Sequence, residues 1–308
     1  MTLSIAWRSE GRIHLASDSR ISFGKNQYAD VGIKVLAIPV QVSGTELGDD
    51  SKLIILHKSR YGFCYAGSLA NAATLKELLE EVLRLLQFVE QPESLSFEHI
   101  CNAVKLYCGH LTTEVCRYLA EKGRYEFFLA GYCPLKKMLQ AAHFTFDHRA
   151  GNATASFKII LDDDNSYVAI GSCAVSADKL IKSVNNESIL LALNTIIDRT
   201  EDESVGGDIQ YGTFDKDANF LVHAIARISE ESVPTHIAQD GTVIFRQYSY
   251  RGLQLNQEWF NRNTQFWLSP PIIELKVPSN TKSRDAFLKT QSVSPVPSIR
   301  IPDAPPEQ

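Results

Sequence analysis

Several features that would identify common classes of protein are missing from this sequence. No apolar run approaches the length of a membrane span, and the Met-Thr-Leu start lacks the basic and apolar regions of a signal peptide. The formal net charge of -5 and a pI near 5.9 argue against a general nucleic-acid surface, since no basic stripe offsets them. We therefore expect a cytoplasmic protein that binds neither membrane nor nucleic acid.

Patterns typical of metal sites and disulfides are also missing. The six cysteines form no Cys-x-x-Cys pair, and the eight histidines show no spacing typical of metal ligands. Cys101 and Cys108 are seven positions apart in a helical stretch, so we interpret them as small apolar core residues. The acidic run at 162–164 predicts a solvated hairpin turn, although a weakly held cation is compatible with it. We predict no cofactor and no metal.

The order of the predicted secondary structure indicates the fold class. A hydrophobic content of 44% is ample for a core in a chain of 308 residues. Periodicity predicts a first hairpin at 3–16. It predicts one helix at 70–89, a second that begins at a cap at Ser94 or Ser96 and ends at Gly123, and further helical sequence at 176–198. Strands are predicted at 125–132, 139–146, 155–161, 167–171, 208–214 and 220–226. Strands, two helices, strands, two helices and strands suit an α+β four-layer αββα sandwich, with two sheets between helix layers.

The start of the chain carries residue types that can make an N-terminal threonine a nucleophile. Once Met1 is removed the chain begins with Thr2, and Asp18 and Lys34 follow sixteen and thirty-two positions later. A threonine hydroxyl needs a base, and a free α-amine with a pKa of about 7.7 to 8.0 can act as one. A lysine ammonium would lower the pKa of that amine and stabilise developing negative charge, and an aspartate would hold the lysine in place.

Further motifs occur in the same order as in a known family. The segments are Leu15-Ala16-Ser17-Asp18, Gly32-Ile33-Lys34-Val35, Tyr65-Ala66-Gly67-Ser68, Ala169-Ile170-Gly171-Ser172 and Gly206-Gly207-Asp208-Ile209. Together they resemble the proteasome β-subunit family, in the bacterial branch that includes the HslV peptidase and the ancestral β-subunit type. The resemblance covers roughly residues 2–226 and implies the four-layer fold of N-terminal-nucleophile hydrolases.

The resemblance also implies roles for individual residues. The residues that inherit a catalytic role are Thr2, Asp18, Lys34, Gly67, Ser172 and Asp202. The Gly67 N–H would form the oxyanion hole, Ser172 would lie beside the threonine, and Asp202 would support that serine and the amine. Many relatives have a serine immediately before the glycine pair, whereas this chain has Val205, so one polar member of the supporting shell is absent.

Two lysines compete for one role in this scheme. Lys34 has the right distance from Thr2, whereas Lys52 lies closer to the family's usual distance before the Ala-Gly turn. An insertion of about eighteen residues (52 minus 34) therefore lies before or after the true lysine strand. We favour Lys34, because the path through Asp18 is ungapped and residues 44–50 have the composition of a surface turn, where insertions are better tolerated.

The implied activity is that of a threonine peptidase that cleaves peptides or unfolded proteins through an acyl-enzyme on Thr2. The resemblance also implies self-assembly into a ring or related stack, and an ATPase partner is left open. Leu69 and Ala70, after the Ala-Gly turn, suggest an apolar preference in an S1-like pocket. Two alternatives stay open. One is an N-terminal-nucleophile amidase acting on a small molecule. The other is a non-catalytic ring or scaffold subunit, which a retained Met1 or a displaced lysine would support and to which Val205 gives some weight.

Composition divides the chain into three regions. Residues 2–230 form the predicted hydrolase domain, 231–291 an appendage with a strand at 243–245 and a short helix at 253–260, and 292–308 a Pro/Ser-rich tail expected to be disordered or extended. In the appendage, four aromatic residues suggest docking on the body or on a neighbouring subunit: Trp259, Phe260, Phe266 and Trp267.

Overall fold

The computed structural model of the protein describes residues 2–24, 27–46, 49–149, 152–183, 189–200, 202–228, 235–237, 243–245, 247–266 and 268–277. These residues form a mixed α/β structure with two large sheets and two small ones. The strands are β1 Leu3–Ser9, β2 Arg12–Ser17, β3 Ile21–Gly24, β4 Gln27–Ala29, β5 Val35–Glu46, β6 Asp49–Gly67, β7 Leu86–Gln87, β8 Tyr125–Cys133, β9 Met138–Arg149, β10 Asn152–Ile160, β11 Tyr167–Gly171, β12 Gln210–Phe214, β13 Phe220–Ile228, β14 Thr235–Ile237, β15 Val243–Phe245, β16 Gln247–Tyr250, β17 Leu253–Asn256 and β18 Ile272–Lys276. The helices are α1 Leu69–Val82, α2 Phe97–Leu119, α3 Ala174–Ser183, α4 Ile189–Arg199 and α5 Gln257–Thr264.

The first sheet contains the start of the chain. Its described strands run in the order β11-β1-β2-β12-β13-β16-β17, and β18 pairs with β13 in parallel. The predicted hairpin at 3–16 is confirmed as β1 and β2, joined at Glu10 and Gly11, which both have positive φ (52° and 71°). Two successive residues with positive φ match the twist of flanking antiparallel strands. The hairpin therefore places the chain start at one end of this sheet.

The second sheet is built around a long hairpin. Its described strands run in the order β10-β9-β8-β6-β5-β7. β5 and β6 pair from Val35↔Cys64 as far as Glu46↔Asp49, with a register shift after Val42. We call the far part of this hairpin, residues 43–55, the β5–β6 arm. The arm contains the insertion predicted at 44–50, and its side chains of Leu53 and Ile55 are more than half exposed.

Three apolar clusters hold the sheets and helices together. The first packs α1 and α2 on the second sheet, through residues such as Leu79 and Phe63. The second packs α3 and α4 on the first sheet, through residues such as Leu193 and Ile5. The third lies between the two sheets and includes Phe128. Burial of these alternating strand faces provides the main stabilisation, at roughly 25 cal/mol per Å² of apolar surface.

The first predicted helix is shorter than expected. The prediction of a helix over 70–89 is wrong at its C-terminal end, because α1 ends at Val82. The chain then forms β7, and the Phe88 amide donates to the Ser43 carbonyl beyond it. Leu85 and Val89, which continued the apolar pattern, are exposed. Pairing with β5 therefore overrides the helical periodicity of this segment.

The second helix begins at the predicted cap but exposes part of its predicted apolar stripe. Ser96 caps α2 by accepting from the His99 amide, and the His99 side chain accepts from the Ser96 amide in return. The helical spacing of apolar residues in this segment continues through Tyr107 and Tyr118, but these side chains are 39% and 86% exposed. Helical spacing of aromatic residues in α2 therefore did not distinguish buried positions from exposed ones.

The four strands predicted at 125–132, 139–146, 155–161 and 167–171 are present, but they do not all lie in one sheet. β8, β9 and β10 pair with their neighbours in chain order, but β11 crosses to the first sheet and pairs with β1. The acidic run 162–164 is therefore a connection between sheets and not a hairpin turn. Asp164 accepts a hydrogen bond from the Gly11 amide in this connection. Among the described residues no group of three or more acidic, His or Cys side chains could hold a metal ion.

The C-terminal segment adds strands to the first sheet. Residues 247–277 contribute β16, β17 and β18, so the part of the predicted appendage that is described belongs to the sheet of the main body. The predicted strand at 243–245 is confirmed, whereas the helix predicted over 253–260 begins only at Gln257, after β17. Trp267 and the tail 292–308 lie outside the described residues. No described helix combines the length and apolarity that crossing a membrane requires.

Candidate active site

Thr2 is held by strand β11 and by the residue that follows it, Ser172. Leu3 pairs with Gly171 in the β1–β11 ladder, and the Ser172 amide donates to the Thr2 carbonyl over 3.0 Å. Gly171 has φ 95°, and a Cβ at this position would lie 1.8 Å from the Thr2 carbonyl oxygen. Only glycine fits a backbone approach this close. With Met1 still attached, Thr2 is 2% exposed.

Asp18 connects the chain start to three other segments. Its Oδ1 accepts from the Leu3 amide and from Lys34 Nζ, each over 3.0 Å. Its Oδ2 accepts from the Arg20 and Gly206 amides, each over 3.1 Å. The carboxylate is fully buried, and four donors satisfy both of its oxygens. Leu3, Lys34 and the glycine pair at 206–207 are therefore fixed relative to one another.

Lys34 forms a buried ion pair with Asp18. Its side chain is 2% exposed, and burial lowers the pKa of Lys34, an effect that the Asp18 carboxylate opposes. Its backbone is anchored by Gln210, whose Oε1 accepts from the Lys34 and Val35 amides and whose Nε2 donates to the Gly32 carbonyl. Gln210 was not predicted as a site residue, because nothing in its sequence neighbourhood indicates this contact.

The competing lysine lies elsewhere. Lys52 is exposed on the β5–β6 arm, whereas Asp18 is bonded to Lys34. This contact favours Lys34 over Lys52, and the choice between the two lysines stays a prediction.

The Ala66-Gly67 turn lies beside the chain start. A Cβ on Gly171 would be 3.1 Å from the Ala66 Cβ as well as touching Thr2. Gly67 has φ 111°, and a Cβ there would lie 2.5 Å from the Arg124 carbonyl. The strand thus ends in a conformation that favours glycine, and α1 follows at once, capped by the next residue, Ser68.

Ser172 and Asp202 are joined through a residue that the sequence reasoning missed. Ser204 Oγ lies 3.2 Å from Ser172 Oγ and 2.5 Å from Asp202 Oδ1, which also accepts from the Ser204 amide over 2.9 Å. Burial raises the pKa of Asp202, whereas its hydrogen bonds, chiefly those from Ser204, lower the pKa. The net result is a pKa below the ordinary value of an aspartate. Val205 is 1% exposed and packs in the core under α3 and α4. The Asp-x-Ser spacing, typical of an aspartate-capped turn, could have indicated Ser204.

Glu126, an acidic residue that was not predicted as part of the site, contacts the turn at Gly171 and Ser172. Glu126 Oε1 accepts from the Gly171 amide over 3.2 Å, and its Oε2 is 2.9 Å from His143 Nε2. Ala66 is the strand partner of Glu126. Glu126 therefore helps to hold the turn whose next amide, from Ser172, binds the Thr2 carbonyl.

These contacts bring most of the predicted site residues into one connected group. Asp18 is bonded to Lys34 and to the amide after Thr2, the Ser172 amide is bonded to the Thr2 carbonyl, and the Ser204 hydroxyl joins Ser172 to Asp202. The group offers a hydroxyl, a buried cation, one buried carboxylate from Asp18 and one partly buried carboxylate from Asp202, which suit proton transfer and stabilisation of a developing anion.

Comparison with known proteins gives similarity in structure but not in sequence. No family model matches the chain, and no curated protein matches it in sequence. The chain is similar to the Anbu complex from Pseudomonas aeruginosa, solved as a helical assembly, with 14% identity, 72% of this chain and 85% of that chain covered, and a TM-score of 0.50.

Two other solved structures are similar to the chain. Anbu (ancestral β-subunit) from Yersinia bercovieri is 17% identical over 68% of this chain and 81% of that chain, with a TM-score of 0.47. A Gly-1 mutant of Anbu from Hyphomicrobium sp. strain MC1 is 15% identical over 71% of this chain and 83% of that chain, with a TM-score of 0.47. At such identities, the similarity to the Pseudomonas aeruginosa structure supports a proteasome β-subunit-like fold and nothing finer.

Proposed function

We propose that this protein is an N-terminal-threonine hydrolase that cleaves amide bonds in peptides after removal of Met1. In this proposal the fold is the four-layer αββα sandwich of N-terminal-nucleophile hydrolases, of the ancestral β-subunit or HslV type, and the protein acts in the cytoplasm. The three apolar clusters, helices on sheet, sheet on sheet and sheet on helices, support the layer order. Small-molecule amides remain the alternative substrate class.

The observation that carries the proposal is the buried ion pair next to the chain start. Lys34 and Asp18 are 2% and 0% exposed, and Asp18 also binds the amide that follows Thr2. Removing two charges from water is expensive, and apolar residues of similar size often give equal or greater stability. A buried pair of this kind next to the residue that follows Thr2 is therefore a candidate for a catalytic role, where a fixed cation is useful.

In the proposed reaction the free α-amine of Thr2 removes the proton from Oγ, which attacks the carbonyl carbon of the scissile amide. The Lys34 ammonium lowers the pKa of the amine, which keeps the amine unprotonated near neutral pH, and it stabilises negative charge. The Gly67 N–H donates to the oxyanion of the tetrahedral intermediate. The amine then returns the proton to the leaving nitrogen, the C–N bond breaks, and an ester on Thr2 remains. Water, deprotonated by the same amine, hydrolyses that ester.

The alternative of a non-catalytic scaffold subunit rested on Val205. Ser204 supplies a hydroxyl to Ser172 and Asp202 from the neighbouring position, so the absence of a serine at 205 does not leave these two residues without a polar link. This contact weighs in favour of the catalytic proposal.

The test begins with the intact mass and N-terminal sequence of the purified protein. We expect a chain that starts at Thr2, that forms a covalent adduct on this residue with a peptide epoxyketone, and that hydrolyses peptide substrates. The Thr2→Ala variant should lose labelling and hydrolysis, whereas Thr2→Ser keeps a hydroxyl and should retain part of both. A chain that still begins with Met1 in its native host, or hydrolysis that survives in Thr2→Ala, would contradict the proposal.

Self-assembly belongs to the same proposal. The Pseudomonas aeruginosa protein was solved as a helical assembly, and this chain is expected to form a ring or helical stack that encloses its sites. Light scattering of the purified protein should give a mass several times the 34.4 kDa of one chain. The Thr2→Ala variant, which removes only a hydroxyl and a methyl group, should assemble in the same way, and a monomeric wild type would contradict assembly. An ATPase partner is left open in this proposal, and co-purification from the native host would detect one.

A further inference from the structure

We propose that the C-terminal hairpin β16–β17 is part of the active-site framework, with Gly252 and Gln254 as positioning residues for the segment that carries Lys34. This inference rests on the proposed function for its catalytic consequence, but its structural part stands on contacts of its own.

The hairpin reaches the residue next to Asp18. β16 pairs with β13 at Ser249, and the hairpin turns at Arg251 and Gly252, with φ of 54° and 81°. Gly252 is buried, and a Cβ added to it would lie 2.5 Å from the Cβ of Ser19 and 3.4 Å from Gln210 Nε2. The turn therefore packs with no spare room against two residues that adjoin the ion pair.

A hydrogen bond between Gln254 and Asp208 also holds the β16–β17 hairpin. Gln254 Nε2 donates to Asp208 Oδ2 over 2.6 Å, and Arg227 Nη2 is 2.9 Å from Asp208 Oδ1. Asp208 is 8% exposed, and its amide donates to Ser19 Oγ over 2.8 Å. Asp208, which directly follows the glycine pair, thus joins the hairpin to Ser19: its carboxylate binds Gln254 and its amide binds Ser19.

From Ser19 and Gln210 the contacts continue to the lysine. Ser19 donates its hydroxyl to the Asp30 carbonyl, and its own carbonyl accepts from the Gly32 amide. Gln210 accepts from the Lys34 amide and donates to the Gly32 carbonyl. The segment from Asp30 to Lys34 is therefore held between Ser19 and Gln210, the two residues that Gly252 touches.

The consequence concerns the environment of the ammonium group. Among the described residues the charged or titratable groups acting on Lys34 are Asp18, Cys64 and Asp30, and burial lowers the pKa of Lys34. If the hairpin shifts, Ser19 and Gln210 shift with it, and Lys34 loses its fixed place and its shielding from water. The rate of attack by Thr2 should then fall, since a displacement of about 1 Å can cost about 100-fold in rate.

The test compares two glycines with similar backbone geometry. Gly11, in the β1–β2 turn, has φ 71° and nothing within 4 Å of an added Cβ, whereas Gly252 has φ 81° and abuts Ser19. Gly252→Ala and Gly11→Ala therefore introduce similar backbone strain, but only the first pushes on the site. Two quantities are measured: the rate of Thr2 labelling by a peptide epoxyketone between pH 6 and 10, and amide hydrogen exchange of residues 17–35 by mass spectrometry.

We expect Gly252→Ala to slow labelling about 10- to 100-fold, to move its alkaline limb to higher pH as Lys34 becomes hydrated, and to accelerate exchange in 17–35. Gly11→Ala should change none of these. If Gly252→Ala does not fold, Gln254→Ala, which removes only the bond to Asp208, takes its place with the same expected directions.

The outcomes separate this inference from the proposed function. A wild type that labels, with a Gly252→Ala variant that labels at the same rate, overturns the inference whatever the exchange shows. A wild type that does not label removes the proposed function, and exchange then decides alone: faster exchange in Gly252→Ala than in Gly11→Ala supports the hairpin as framework, and equal exchange overturns it.

Discussion

Asp18 accepts four hydrogen bonds although it is fully buried, and this number sets the energetics of the site. Three of the donors are backbone amides, and the fourth is Lys34 Nζ. Amides alone can keep a carboxylate ionised, but they leave its full charge without a cation in the interior. Lys34 supplies that cation, so the two side chains should be treated as one unit.

Replacement of Lys34 should therefore damage both stability and activity. For Lys34→Met we expect the free energy of unfolding to fall by about 3–5 kcal/mol, because the Asp18 charge is left unpaired in the interior. Peptide hydrolysis should fall below detection. Lys52→Met is the matched control on an exposed strand, and urea unfolding with a peptide assay measures both. Equal loss in the two variants would contradict the assignment of the ion pair.

Ser204 gives a second prediction at this scale. Ser204→Ala leaves Asp202 and Ser172, which are partly buried, without their shared partner, and loss of a hydrogen bond to a charged group costs about 1.5–3 kcal/mol. If the link matters for catalysis, kcat should fall about 10- to 100-fold, at about tenfold for each 1.4 kcal/mol.

The conservative variant distinguishes this role from packing. Ser204→Thr keeps the hydroxyl and should restore most of the rate, whereas Thr200→Ser, close by and bonded to Cys173, should change little. A Ser204→Ala enzyme with unchanged kcat and an unchanged pH profile would show that the serine serves only the turn.

At the scale of elements, the long β5–β6 hairpin explains how an insertion can be accommodated in a strand that begins beside Lys34. The Val35 end of β5 lies next to Lys34, and the arm lies at the far end of the same strands. An insertion there lengthens a hairpin and leaves the register near the site unchanged. Closure of a longer loop costs little, because the cost grows only with the logarithm of its length.

Shortening the arm should therefore be tolerated. Replacement of residues 46–52 by an Asn-Gly turn joins Thr45 to its strand partner Leu53 and removes Lys52 at the same time. We expect the free energy of unfolding to change by less than about 1 kcal/mol and Thr2 labelling to be retained. Chemical denaturation and labelling of the shortened protein measure the two. Loss of labelling in a folded variant would return Lys52 to consideration.

Across the whole molecule, three histidines link stability to pH. Burial lowers the pKa of His14, His57 and His223 to about 4, from an ordinary value of 6.5. Between these values the unfolded chain binds protons that the folded chain does not. The free energy of unfolding should therefore fall as pH drops from about 6.5 to about 4, by up to about 3 kcal/mol for one such imidazole.

Urea unfolding at pH 7.5, 6.0, 5.0 and 4.5 measures this slope. His14→Phe, which keeps an aromatic ring stacked on Trp7, should reduce the slope, whereas His110→Phe, at an exposed position of α2, should leave it unchanged. An identical slope in wild type and His14→Phe would mean that His14 is not the origin of the acid sensitivity.

The extent of correct prediction differs between the fold and the site. The first hairpin, the cap of α2 and most strands could be predicted, because each depends on a pattern within a few neighbouring residues. The end of α1 could not, since Leu85 and Val89 continue a helical pattern that pairing with β5 interrupts. The crossing of β11 to the other sheet also left no local signal.

Sequence alone determined the residue types and the local turns on which the site depends: the chain start at Thr2, Asp18 just past a strand, and glycines where φ must be positive. Tertiary structure decided what those residues meet, namely which lysine lies beside Asp18, that Ser204 joins Ser172 to Asp202, and that the C-terminal hairpin packs on Ser19. The physical reason is the range of the interactions. Turn and periodicity signals arise within a few residues, whereas a pairing such as Leu3 with Gly171 joins positions 168 apart (171 minus 3) and depends on the register of whole sheets.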